Sequence, residues 1–430
     1  MKYRYLLYIM IIGLLFSCKP ELDEYAYDSG SADFSTYVSL GNSLTAGYMN
    51  GSLYRTSQLN SFPSILAGQF AKMGGGAFEQ PLMEGEYGII AGKLKLGYST
   101  DCLGATSLGP VPDDGALDPI ASIGKMVNNM GVPGAKSGHL LFPGYAQFNP
   151  YFARFASDPN ATVVGDAMAM NPTFFTLWIG NNDVLGYGTS GGVGDTITSQ
   201  TWFAGYVQTI VETLTSAGAK GAIANIPDIT NVPFFTTVPP NGLVLNQEQA
   251  AALNAALGSL GFQFAEGPNY FIIQDASSQI GFRQMVEGEL LLLTVPQDAL
   301  KCEYMGAVNP NTGAPNPIPQ QYVLTLDQID QIENAITGYN ATISAIATNF
   351  NLAFVDFNAI LKEVEEGIIA DGETLTTEFV TGNAFSLDGI HLTAKGYAYV
   401  ANEFIKAINM KYGSNVPMVS ITNYEALELP

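Results

Sequence analysis

The stretch Tyr37-Val38-Ser39-Leu40-Gly41-Asn42-Ser43-Leu44-Thr45-Ala46-Gly47 decides the fold. A short apolar run, Tyr37 to Leu40, reads as a buried strand, and Gly41-Asn42 reads as the turn that ends it. Ser43 then lies at the carboxyl end of the strand, where open α/β sheets gather ligands and catalytic groups. A serine hydroxyl is a weak nucleophile until a neighbouring base takes its proton, so this placement requires a histidine and a group to orient it.

Histidine is scarce: the chain has only His139 and His391. His391 lies in Ser386-Leu387-Asp388-Gly389-Ile390-His391-Leu392-Thr393. Asp388 and His391 are three residues apart, which on a turn or a first helical turn puts both side chains on one side. One short segment thus offers both the base and its carboxylate partner.

These residues resemble the SGNH or GDSL hydrolases. The family's first motif, Gly-Asp-Ser-Leu, is similar to Gly41-Asn42-Ser43-Leu44, and its last, Asp-x-x-His, to Asp388-Gly389-Ile390-His391. The third, Gly-x-Asn-Asp, is matched by Gly180-Asn181-Asn182-Asp183, and the looser second motif is best matched by Gly131-Val132-Pro133-Gly134-Ala135-Lys136-Ser137. All four stand in family order between Gly41 and His391. The resemblance implies Ser43 as nucleophile, His391 as base and then acid, and Asp388 as its partner. It also implies an oxyanion hole of the backbone amides of Ser43 and Gly134 with the side chain of Asn182. A glycine allows close backbone approach and an amide NH2 donates without bringing charge, so the chemistry agrees with those assignments. The chain departs from the pattern at Asn42, where the family's aspartate loses its charge but keeps a short side chain able to bond a tight turn.

Composition sets wider bounds. A chain of 430 residues with 47% apolar content buries a large core. A formal charge of −22, from 39 acidic and 17 basic residues, disfavours nucleic acid and anionic membrane surfaces as partners. Lys2 and Arg4 precede the largely apolar run Tyr5 to Phe16, which is too short to span a bilayer and reads as a signal segment. Followed by Leu15-Phe16-Ser17-Cys18, it resembles a bacterial lipoprotein signal, with residues 1–17 removed and Cys18 lipidated. The expected location is therefore the bacterial cell envelope, as an outer-membrane lipoprotein held by its lipid anchor and facing the periplasm or the surface. Residues 18–35 read as a tether. Cys102 and Cys302 admit a disulfide across two insertions or two free buried thiols.

Helix and strand signals alternate along the rest. Ser61-Phe62-Pro63 starts a helix that ends near Gly74. Thr173 to Ile179 is the most strand-like run and delivers the third motif at its end. Trp202 to Ala217 has helical apolar spacing closed by Gly218, and Ala219 to Ile226 reads as a strand. Thr325 and Gln328 form a capping box before the stripe Ile329, Ile332, Ile336, Tyr339, Ile343 and Ile346. Leu352 to Phe357 is another strand, and Thr393 to Tyr412 is a closing helix stopped by Gly413, with 413–430 left as a tail. This pattern predicts an α/β three-layer sandwich with a central parallel sheet, flavodoxin-like and SGNH-hydrolase-like, over residues 36–412 with no internal repeat.

Two segments, about 74–127 and 228–321, are too long for plain loops and read as insertions. The second, with a helix around Gln247 to Leu257 and the apolar run Leu290 to Val295, fits either a cap holding an apolar pocket or a packed side lobe. Asp113-Asp114 reads as a solvated turn, since no third metal ligand stands nearby, and His139 as a structural histidine. Gly188-Thr189-Ser190-Gly191-Gly192 matches the G-x-S-x-G pattern but lies among further glycines rather than between a strand and a helix, so it reads as a loop.

The expected reaction is ester hydrolysis with no metal or organic cofactor. The substrate is an acyl lipid, as for a carboxylesterase or lipase, or an acetylated glycan, as for an acetylesterase. The alternative is a catalytically weakened lipoprotein that binds glycan or lipid on the same fold.

Overall fold

The computed structural model describes residues 27–428. The predicted lipoprotein signal, Cys18 and the first part of the tether lie outside the described residues. Five parallel strands make one sheet: β1 (Tyr37–Gly41), β2 (Asn129–Gly131), β3 (Phe174–Trp178), β4 (Lys220–Ala224) and β5 (Ala353–Val355). Their spatial order is β5-β4-β3-β1-β2. From β1 the chain first adds β2 on one side, then returns to add β3, β4 and β5 on the other. This 2-1-3-4-5 order is that of a doubly wound, flavodoxin-like sheet, with its switch point between β1 and β3.

Register fixes which strand ends meet. Gly41 pairs with Gly131 on one side and with Trp178 on the other, so the loops after β1, β2 and β3 leave the sheet side by side. Every residue of β1 and β3 is buried, as expected when helices cover both faces of a parallel sheet. The polar exceptions satisfy one another: the hydroxyls of Tyr37 and Ser39 each lie 2.8 Å from Thr176 Oγ1.

The helices that matter here are α1 (Ser43–Ala46), α2 (Phe62–Ala71), α3 (Asn182–Thr189), α4 (Gln200–Thr215), α5 (Leu326–Asn349), α6 (Phe357–Glu366) and α7 (Ala394–Tyr412). On one face of the sheet Phe62 of α2 stacks on Phe404 of α7 at 4.9 Å, with Trp178 of β3 edge-on to Phe62 at 5.8 Å. On the other, Phe203 of α4 stacks on Tyr339 of α5 at 3.9 Å. The boundaries follow the sequence signals: Ser61 caps α2, Thr325 and Gln328 form the capping box of α5, and Gly413 ends α7 in the left-handed conformation. The expected stripe on α5 is buried from Ile332 to Ile346, while Ile329 is half-buried. The three-layer α/β architecture is as the sequence predicts.

Two expectations at the ends are corrected. The described part of the tether is not loose: Phe34 is buried and stacks on Phe70 at 4.1 Å, and Ser31 N–H donates to Tyr412 O. The residues after Gly413 are not a free tail either. Val416 and Ile421 are buried, Asn409 and Asn402 of α7 bond the backbone of Val416 and Val419, and Lys395 N–H donates to Glu425 O. In both places one or two apolar side chains in a polar stretch find the flank of α2 or α7, a long-range contact that local periodicity does not encode.

The first insertion carries an antiparallel hairpin, Leu94–Thr100 with Thr106–Pro112. The second holds the expected helix Gln247–Leu257 and two small apolar clusters, one around Phe271, Ile273 and Leu291 and one around Leu253, Phe262 and Ile272. A disulfide joins Cys102 to Cys302 across 200 residues of sequence, with a Cα–Cα distance of 6.5 Å. The question left open by the sequence is thus resolved as a covalent tie between the insertions. Asp113 accepts ion pairs from Lys93 and Lys95, and among the described residues no cluster of His, Cys, Asp and Glu could hold a metal ion.

Candidate active site

Gly41 ends β1 because the chain folds back on itself at once. A Cβ there would come within 2.1 Å of Thr45 Oγ1 and 2.4 Å of the Trp178 carbonyl, so only glycine admits α1 so close to the sheet. Asn42 caps α1, its side-chain oxygen accepting from Leu44 N–H at 3.0 Å, while its amide nitrogen donates to Asn181 Oδ1 at 3.1 Å. The amide at position 42 therefore joins the first motif to the third as a donor, which a carboxylate there could not do.

Ser43 opens α1 at the mouth of the switch-point crevice. Its Oγ lies 2.8 Å from His391 Nε2, and His391 Nδ1 lies 2.9 Å from Asp388 Oδ2. A segment 348 residues away in sequence thus meets the serine with hydrogen-bond geometry on both ring nitrogens. The carboxylate of Asp388 also accepts from the backbone N–H groups of Gly51, Ile390 and His391 at 2.8, 2.9 and 2.8 Å. Burial by itself would raise the Asp388 pKa. The facing imidazole and these donors outweigh it and hold the carboxyl well below the usual carboxylate range. It is an ionised acceptor, and a hydrogen bond from Nδ1–H to it leaves Nε2 free to accept a proton from Ser43.

Sequence reading missed the clasp around this aspartate. Met49 and Ser52 form a bridge, with Asn50 and Gly51 at φ +54° and +77° between them. This is the Asn-Gly signature of a tight turn with two left-handed residues. Its register lets Gly51 N–H reach Asp388, while Asn50 N–H donates to Ser386 Oγ at 2.9 Å and Asn50 Oδ1 accepts from Leu387 N–H at 3.1 Å. Tyr48, just before the turn, has its ring 4.6 Å from the His391 ring and its hydroxyl on Gly51 O. The Asn50-Gly51 dipeptide was legible as a turn; its distant partner was not.

The second and third motifs come together beside Ser43. Asn182, at the start of α3, is half-exposed and donates one amide N–H to Ala135 O at 3.0 Å, which sets the side-chain plane. Asp183 is buried and accepts from Ser137 N–H and Oγ–H at 2.8 and 2.7 Å. Burial raises its pKa and the two Ser137 donors oppose that shift. The Asn182-Asp183 pair therefore braces the loop that carries Gly134. Gly134 itself is exposed, three residues past the sheet partner of Gly41. His139 stays outside this constellation: its Nδ1 accepts from Lys136 N–H and its ring stacks on Tyr145 at 4.6 Å. Ser190 also stays outside it, at the end of α3 with its hydroxyl on Gly186 O.

A cleft of about 90 Å³ opens beside Ser43, with Asn181, Asn182 and His391 at its polar end. The remaining wall is apolar and comes from α6, the first turns of α7 and the segment before His391, together with Leu44 of α1, Trp178 of β3, Leu185 of α3 and Pro227, Ile229 and Val232 after β4, so the second insertion contributes to it.

No protein-family model and no curated protein matches the chain. Among solved structures it is similar to the lipase/acylhydrolase from Enterococcus faecalis, at 11% identity over 89% of this chain and 98% of that one, with a TM-score of 0.33. It is likewise similar to the acetyl xylan esterase AlAXEase, at 14% identity over 86% of this chain and 98% of that one, also with a TM-score of 0.33.

Proposed function

We propose that the protein is a serine ester hydrolase working through an acyl-enzyme. The observation that carries this reading is the unbroken relay from Ser43 Oγ through the His391 ring to Asp388. Ser43 Oγ attacks the ester carbonyl carbon while His391 Nε2 takes its proton. The negative charge on the former carbonyl oxygen is met by the free amide N–H of Asn182 and the backbone N–H groups of Ser43 and Gly134. As the intermediate collapses, the carbon–oxygen bond to the alcohol breaks, and His391 returns the proton to the departing alkoxide. Water, deprotonated by the same nitrogen, then attacks the acyl-enzyme; the carbon–Oγ bond breaks, the acid leaves, and His391 gives that proton to Ser43 Oγ. Asp388 stays ionised throughout, fixing the tautomer and balancing the imidazolium charge.

The test is hydrolysis of p-nitrophenyl esters by a soluble form lacking residues 1–18. Ser43→Ala should lower kcat by about 10⁴- to 10⁶-fold, and undiminished turnover in that variant would end the assignment. We propose likewise that the chain is a lipidated envelope protein: the basic start, the apolar run and Cys18 support this, and labelled-palmitate incorporation that is lost in Cys18→Ala is the expected result.

A further inference from the structure

From the cleft beside Ser43 we infer that the enzyme's substrates carry an apolar acyl chain of medium length, seated between α6 and α7, rather than an acetyl group. The inference rests on the serine-hydrolase reading above and adds the substrate class. Past its polar end the cleft is walled by Leu361 and Val364 of α6, Val400 of α7, and Leu375, Phe385 and Ile390. The first five of these are buried. Among the described residues, His391 and the Tyr399 phenol are the ionisable groups that line the cleft. A sugar or a charged headgroup there would exchange its water hydrogen bonds for hydrocarbon, an unfavourable transfer. An acetyl group would leave most of the apolar wall against water.

Size sets the chain length. A space of about 90 Å³ holds roughly six to nine water-sized groups, which suits a straight acyl chain of about four to eight carbons. The acyl side is the part of the ester that fits this cleft, because it stays bound to Ser43 between the two half-reactions. The alcohol must leave as soon as His391 protonates it, and a narrow apolar cleft would hold it back.

The experiment measures kcat/KM for p-nitrophenyl acetate, butyrate, hexanoate, octanoate and palmitate, with ethyl to octyl acetates as the series lengthened on the alcohol side. Burial of each methylene should raise kcat/KM by roughly three- to fourfold from acetate to hexanoate, with a fall by palmitate and little change along the alcohol series. Val364→Trp should lower the octanoate-to-acetate ratio at least tenfold, and Val364→Ala should move the optimum to a longer chain. A profile that is flat or best on acetate, a gain on the alcohol side, or ratios unmoved in both variants would each overturn the inference while leaving a serine hydrolase in place. Alkyl phosphonates of the same chain lengths separate the two failures. Labelling of Ser43 without chain preference removes the chain-length inference alone, whereas no labelling at any length removes the hydrolase reading and the inference with it.

Discussion

The end of the central sheet and the two insertions are built by opposite means. Around Ser43, each functional group comes from a short segment whose local pattern declares it: a glycine, a serine and an amide at strand ends, and a carboxylate three residues from a histidine. The insertions contain local hairpins and a helix, but the contacts that fasten them to one another and to the site are distant in sequence. The hairpin of the first is tied to the helix Gln297–Cys302 of the second by the disulfide and by an ion pair between Lys301 and Asp101 at 2.9 Å. Yet the insertions reach the site. Phe234 N–H donates to Gly389 O, and Leu293 N–H to Phe234 O, so the second insertion supports the turn between Asp388 and His391. The difference separates the residues proposed to do the chemistry from residues that hold them still, and substitution on each side tests that division.

The largest effect after loss of the nucleophile belongs to Asp388→Asn, for which kcat should fall by about 10⁴-fold through loss of the tautomer that leaves Nε2 free. The same substitution has a pH signature. The Asp388 carboxyl is held below its unfolded-state value of about 3.9. Its stabilising contribution is therefore present above that pH and lost as pH falls through the folded value. Urea unfolding at pH 7 should show the asparagine variant less stable than the parent, and the gap should narrow below about pH 4. A gap that widens on acidification would contradict an ionised, donor-surrounded Asp388.

Asn182→Ala comes next. If Asn182 is the oxyanion donor proposed above, its loss should cost about 10²- to 10³-fold in kcat with little change in KM. The variant also leaves Ala135 O without its donor, so the loop holding Gly134 could shift. Circular dichroism and an unchanged melting temperature would separate lost chemistry from a displaced loop. A loss confined to KM would move Asn182 from the oxyanion side of the comparison to the binding side.

What could be read from the sequence follows the same divide. β1, β3, α5 and α7 were legible because a buried parallel strand is a continuous apolar run and a covering helix repeats every three to four residues. Ser43, Asp388 and His391 were legible because so few histidines leave few choices and their motif spacing is short. The Asn50-Gly51 clasp, the packing of Phe34 and Ile421, and the cleft between α6 and α7 were not. Each depends on which surfaces meet after the sheet closes, and nothing in a local window records that. The cysteines fall between the two cases: pairing was open in sequence, and only the meeting of the two insertions decides it.

The smallest expected effect on turnover is that of the paired substitution Cys102→Ser with Cys302→Ser. Closing a loop of 200 residues restricts the unfolded chain by about 5 kcal/mol in the chain-entropy account, so thermal stability should fall measurably. Turnover should stay within about twofold, because the Ser43–His391–Asp388 hydrogen bonds all lie outside the tie and the Lys301–Asp101 ion pair still joins the two insertions. Hydrogen exchange locates the loss: the amides of the hairpin Leu94–Thr100 and of Gln297–Cys302 should exchange faster, while those of β1 and β3 keep their protection. If turnover instead falls as far as in Asn182→Ala, the support through Phe234 and Gly389 depends on the covalent tie. The second insertion would then belong with the groups that set the geometry of His391.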